Sequence, residues 1–452
     1  MPEESRRLGD DPDRAWAPYE PSPRRPWTPA RAAHLLRRAG FGPTWPELQR
    51  ALADGPHRTV DRLLRPGGDL EAFDRAFDGD EAVATAAGPA APLRAWWLRR
   101  MIETPHPLRE KMTLFWHDLV AVGAARVPHG ALLRRHLGLL RQHALGRVPA
   151  LLDGLVSDPA TLLALGDAAS RKARPEEGVA RQLLHRLTVG PEACTDGDLR
   201  DTARALTGWF VLRGELRYFE REHDGGAKTI LGQTGPWTGS DAARIAAAHP
   251  ATARNLARRL YRWLVSETDA PDDAALAPVA RALGPEGDLA RAVETILRSE
   301  CFHDDASIHR RIKRPVELAV GLVRALEGGV PTLRLADDLA ALGEDLLHPP
   351  TRDGWAGGRH WINPASIVGR ANLVAALLDP KGPYGDRLDP AAAAARHGFA
   401  TPEAAAQFLA ALWIQAGPED VAIASLRRAT FAAGGLRAFA HRLAASTAFQ
   451  LA

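Results

Sequence analysis

The sequence predicts a mainly α, multi-helix, bundle-like globular unit with one small irregular insert of β character near residues 209–238. Three observations predict this class. Cap residues followed by proline at the first helical position recur from residue 28 to the C-terminus. Apolar residues repeat at helical spacing between those caps. Strand-like runs are confined to the insert, and tyrosine, favoured in strands, contributes only 4 of 452 residues.

Residues 1–27 are polar, rich in proline and without periodicity, and are expected to form a flexible arm. Residues 28–452 form the helical domain, with a candidate subdivision near 240–270. Thr28-Pro29 opens a helix that Gly40 stops, and Thr44-Trp-Pro-Glu47 is a capping box for the next. Pro92–Ile102, Leu108–Ala121, Gly130–Ala144, Val148–Leu155 and Pro159–Leu165 each carry an apolar face. In Glu176–Val189 the stripe is Val179, Leu183, Leu184 and Leu187. Thr195 caps Asp196–Thr207, and Ser240 caps a helix to about Ala248. Pro250–Val265, Pro271–Leu283, Leu289–Ser299, Pro315–Leu326, Ala336–Leu342, Asn363–Leu378 and a helix opened by Thr401 follow, with two more at the C-terminus. In the insert, Phe210–Leu212 and Leu216–Phe219 read as a ribbon around Arg213-Gly214, with Lys228–Leu231 a third short segment.

The formal charge of +3 over 452 residues is close to neutral, so nucleic acid is not expected as a partner. Two cysteines, Cys194 and Cys301, cannot build a disulfide framework. No run reaches the ~18 apolar residues of a membrane span, and no apolar segment follows Arg6-Arg7, so a cytoplasmic location is expected.

The richest chemistry lies in Glu220-Arg-Glu-His-Asp-Gly-Gly-Ala-Lys-Thr-Ile-Leu-Gly232. It is no phosphate loop, because Glu222 and Ala227 stand where that motif needs glycine. His223 and Asp224 converge only if the Gly225-Gly226 turn brings them together. They are candidates for acid/base catalysis with His117, or they close their own turn. His117, Asp118, His185 and His223 are candidate metal ligands, and a divalent metal is the cofactor this set would suit. No His-Glu-x-x-His spacing is present, so the fold must gather them. Arg181 and Lys228 are candidate contacts for negative charge on a substrate. The segment Leu346–Trp361 offers Trp355 and Trp361 as a ligand wall or as lids on the core, with Asn363 as a polar contact. Two basic runs, Arg171–Arg174 and His309–Arg314, are expected as solvated arms, the second with an alternative as an anion site before Pro315.

Six motifs occur in order: His34–Gly42, Arg109–His117, Ala205–Trp209, His223–Gly232, Pro349–Asn363 and Ala448-Phe-Gln450. Together they resemble the bacterial domain-of-unknown-function 1800 family, from about residue 30 onward. The resemblance implies a mostly helical fold and no established reaction. It also implies a candidate partner, a sulfatase-like protein of the unknown-function 1501 family encoded nearby. Many similar proteins look exported, which this N-terminus does not. The usual segment of the family reads roughly Asn-Glu-Asn-x-Ala-Arg-Glu-Leu-Leu-Glu-Leu. Here Arg181 is kept, but Gln182 and His185 replace the two carboxylates, and Asp118-Leu119 replaces the common Asn-His. The resemblance therefore implies altered or lost chemistry. Three readings follow: a polar ligand pocket in a degenerate member, a metal-assisted or acid/base enzyme, and a scaffold that binds a partner without catalysis.

Overall fold

The computed structural model describes residues 11–68, 70–85, 90–127, 129–417 and 419–452. Helices dominate, and the strands form two small two-stranded antiparallel sheets, both within the expected insert. Trp209–Leu212 pairs with Glu215–Tyr218, and Lys228–Ile230 pairs with Gln233–Gly235. One large apolar core runs from Trp16 and Ala32 to Phe449. Its deepest helices are Pro107–Val120 and Pro315–Ala325, which bury charged as well as apolar side chains.

Local signals account for most boundaries. Thr28, Thr44 and Thr195 cap their helices, the last two in full capping boxes. Asn363 caps Pro364–Leu378, and Ser366 completes that box. Thr238, rather than Ser240, caps Gly239–Ala248, because Thr238 can pair with Asp241 in a capping box. Leu70–Thr85 and Pro390–Arg396 are helices that the sequence reading does not include. The segment expected as one helix over Glu176–Val189 is α-helical at Glu177–Arg181 and then widens into a π turn at Gln182–Leu187.

Residues 11–27, expected as part of a loose arm, are docked. The Trp16 indole donates to Ala275 O at 2.7 Å, and Tyr19 is fully buried with its hydroxyl donating to Arg25 O. The first ten residues lie outside the described set. Among the described residues, no single helix is long and apolar enough to cross a membrane.

Candidate functional site

The stretch at 220–232 folds against the end of Asp196–Ala205. Arg204 grips the Asp224 carboxylate with two nitrogens, at 2.7 and 3.2 Å, and this hydrogen bonding holds Asp224 down at about 2. Gly226 N donates to the same carboxylate at 2.9 Å. The Lys228 ammonium is buried and donates to the carbonyls of Asp224 and Gly226, inside its own turn. His223 Nδ1 donates to Thr207 O at 3.0 Å, and Asp224 N donates to the Thr207 hydroxyl. Gly208 sits at φ 95°, where a side chain would meet the Tyr218 ring. The motifs 205–209 and 223–232 are thus one interlocked unit, and each charged group in it already has partners.

His117 stands elsewhere, wholly buried between Trp97 and Trp355. Its Nε2 accepts from Leu347 N at 3.2 Å, and burial pushes its pKa down to about 3. Among the described residues, no hydrogen bond, ion pair or ring contact joins His117 to His223. The Asp118 carboxylate accepts from Trp355 N at 3.2 Å and lies 3.5 Å from Arg314. His185 is partly buried within the π turn, and burial, then Arg181, lowers its pKa. Arg181 is exposed and pairs with Glu177. Among the described residues, no three His, Cys, Asp or Glu side chains form a group suited to a metal ion.

Gln182 links the two places where this chain departs from the usual motif pattern. Its amide donates to the carbonyls of Leu119 and Val120 at 3.0 and 3.1 Å, closing the end of Pro107–Val120. A carboxylate there would face two carbonyl oxygens with no proton to offer.

The remaining motifs converge on the run before Pro315. Arg311, Lys313 and Arg314 are buried, which corrects the expectation of a solvated arm. Arg314 donates to Glu344 at 2.7 Å, and its guanidinium lies 5.3, 5.5 and 5.2 Å from the rings of Trp263, Trp355 and Trp361. Both Trp355 and Trp361 are buried. Arg311 donates to Glu317 at 2.7 Å and stands over Trp263 at 5.0 Å. Lys111 donates to the same Glu317 oxygen. Burial alone would raise the Glu317 pKa, but Arg311 and Lys111 outweigh it and hold it well below the carboxylate range. Glu317 and Glu344 also cap the helix, accepting from Arg314 N and Val316 N at 2.9 Å.

Four further cations join this centre without a carboxylate in ion-pair contact among the described residues. They are Arg37, Arg38, Lys313 and Arg370. Arg37 donates to Gln415 and Arg38 to Val265 O. Lys313 donates to Phe449 O, and Arg370 to Lys313 O and Gln450. Burial lowers Arg37 and Arg370 to about 10 and Lys313 well below its ordinary value. Burial, then Arg311, lowers Arg38 to about 9.

Around Trp263 and Glu267 the hydrogen bonding is incomplete. Among the described residues, Arg38 Nε and Nη1, Arg311 Nη2 and Trp263 Nε1 are buried donors without a hydrogen-bond partner, and Glu267 Oε2 is an unpaired acceptor. Glu267 Oε1 lies 3.4 Å from Arg311 Nε. The loop at Gly357-Gly358 passes over this carboxylate, so closely that a side chain at Gly357 would come within 3.3 Å of it. Sequence reading reached this centre only in part, through the basic run and the two tryptophans. Arg38, Lys111, Trp263, Glu267, Glu317 and Glu344 were missed. The available signal was that Pro315–Ala325 is apolar apart from Glu317 and Arg324, so a run feeding it must enter the core.

A family model described as a protein of unknown function (DUF1800) matches residues 34–451. No curated protein matches the chain, and no solved structure does.

Proposed function

The chain belongs to the DUF1800 family, and we propose that it is a ligand-binding protein whose ligand presents a protonated oxyanion, such as hydrogen phosphate, to the buried basic centre. One observation carries this reading: among the described residues, buried donors on Arg38, Arg311 and Trp263 and the acceptor Glu267 Oε2 make no hydrogen bond, while Arg311 stands over Trp263 at 5.0 Å and its Nε lies 3.4 Å from Glu267 Oε1. An unmet buried polar group costs about 1–3 kcal/mol, and a buried charge more. A phosphate monoanion accepts from the nitrogens through its oxygens and donates its own hydroxyl to Glu267. Sulfate has no proton to donate and leaves two negative groups in contact. The surplus cations Arg37, Arg38, Lys313 and Arg370 favour the negative charge.

The pair His223 and Asp224, with Lys228, reads better as architecture. Arg204, Thr207 and backbone carbonyls occupy them. Gln182, whose amide donors suit the Leu119 and Val120 carbonyls, supports a degenerate member in which the usual carboxylate chemistry is gone.

Isothermal titration with sodium phosphate and sodium sulfate, at matched ionic strength, tests the proposal. Phosphate is expected to bind at least ~10-fold more tightly, a difference of about 1.4 kcal/mol. Glu267→Gln, which can donate to sulfate, is expected to remove most of that preference. Equal binding of the two anions by the unmodified protein overturns the reading.

A further inference from the structure

A surface cleft lies between Thr332–Ala341 and Pro364–Leu378, with a volume of about 450 Å³. Its walls include Arg334, Asp338, Gly343, Asn363, Asn372 and Leu373. Two separate bonds tie these walls to the basic centre. The Trp355 indole donates to Gly343 O at 3.1 Å, and its ring faces Arg314. The Ser366 hydroxyl, also in the cleft wall, donates to Trp361 O at 2.9 Å, and the Trp361 ring faces Arg314 as well. Two residues of the cleft wall are therefore hydrogen-bonded to the two tryptophans that flank the buried Arg314 guanidinium.

We infer that this cleft is the outer half of the ligand site, and that the ligand is a phosphomonoester with a hydroxylated body of about monosaccharide size. The inference rests on the anion-binding reading above. The phosphate head belongs with Arg38, Arg311 and Glu267, and the body belongs in the cleft. The lining favours hydroxyls. Asn363 and Asn372 present exposed amides, and Asp338 already accepts the Tyr384 hydroxyl at 2.5 Å. No aromatic ring lines the cleft among the described residues, and leucines supply its larger apolar contacts. The volume lies within the range of small-molecule sites, about 300–1,000 Å³. Trp355 must swing for the head to pass. It hangs on a loop whose ends sit at Gly343 and Gly358, both in the left-handed region.

Titrations of the full chain with inorganic phosphate, glucose 6-phosphate and glucose test this. Glucose 6-phosphate is expected to bind at least ~10-fold more tightly than phosphate, and glucose alone not measurably. Asn372→Leu removes an exposed amide that makes no hydrogen bond among the described residues, so folding is expected to be retained. It should erase the advantage of the ester and leave phosphate affinity unchanged. Gly369→Leu, whose Cβ would lie 2.7 Å from Leu342 Cδ2 and displace that wall residue, should do the same. Trp355→Ala should speed association of both anions. If phosphate binds but the ester gains nothing, or both cleft variants leave the gain intact, the cleft inference fails while the basic centre stands. If neither anion binds, both fail.

Discussion

Lowering the pH from 7 to 5 is predicted to destabilise this protein by several kcal/mol, and its buried histidines set the magnitude. His34, His106, His117 and His303 are at most 7% exposed. Burial lowers each from 6.5, to about 3 for His117 and His303 and about 4 for His106, with His34 also well below. In the unfolded chain each imidazole takes up a proton near 6.5. In the folded chain His117, His303 and His106 do so only near 3 to 4, and His34 also well below its ordinary value. The unfolded state binds more protons throughout that window, so stability falls as pH falls through it. At pH 5 the penalty is ~2 kcal/mol for each of His106, His117 and His303, or ~6 kcal/mol for the three, and His34 acts in the same direction. That is comparable to the whole stability of a typical fold, roughly 5–15 kcal/mol. Lys111, lowered to about 8, changes only above this window, and paired carboxylates such as Glu110, at about 2, only below it. Chemical denaturation followed by circular dichroism, at half-unit steps from pH 7 to 5, gives the slope directly. A loss of several kcal/mol is expected, steepening below pH 6. A stability unchanged to within 1 kcal/mol across this range would refute the reasoning.

Other substitutions test single contacts. Gln182→Glu places a carboxylate against the Leu119 and Val120 carbonyls, and should cost about 1–3 kcal/mol in urea denaturation. An unchanged midpoint would count against the capping role. Gly354→Ala adds a Cβ 2.2 Å from Asp118 O at φ 70°, whereas Gly385→Ala at φ 67° meets nothing within 4 Å. The first should lose at least ~2 kcal/mol and redden tryptophan fluorescence, the second about 1. Equal losses would show that the contact with Asp118 does not matter. Asp224→Ala removes the clasp on Arg204, which is partly exposed, so global stability should fall by less than ~1 kcal/mol. Hydrogen exchange should quicken at 220–232, and exchange at Pro315–Ala325 should stay as it was.

The helical class was legible because caps and apolar spacing are local properties. Thr44-x-x-Glu47 and Thr195-x-x-Asp198 contain their whole explanation within four residues. The π turn at Gln182–Leu187 was not legible, since its buried leucines keep the spacing of an ordinary helix. Leu70–Thr85 was legible in principle, with Asp69 before it and Leu70, Phe73 and Phe77 at helical spacing, whereas Pro390–Arg396 is almost all alanine and shows no contrasting stripe. The candidate site depended on longer range. Arg314 is neutralised by Glu344 and Asp118, which lie 30 and 196 residues away. Only the apolar helix that follows it, Pro315–Ala325, distinguishes such a run from a solvated one. Conversely, the residues that looked most reactive, His223 to Lys228, are the ones whose partners are nearest in sequence.

The most direct test of the basic centre is a crystal grown with arsenate, which carries a hydroxyl as phosphate does and scatters anomalously. The predicted result is a single strong anomalous peak in the core. It should lie ~3–4 Å from Arg38 Nη1, Arg311 Nη2 and Trp263 Nε1, with one oxygen in hydrogen-bond contact with Glu267. Arsenate confined to surface arginines, with those buried donors satisfied by water or by Glu267 itself, would contradict it.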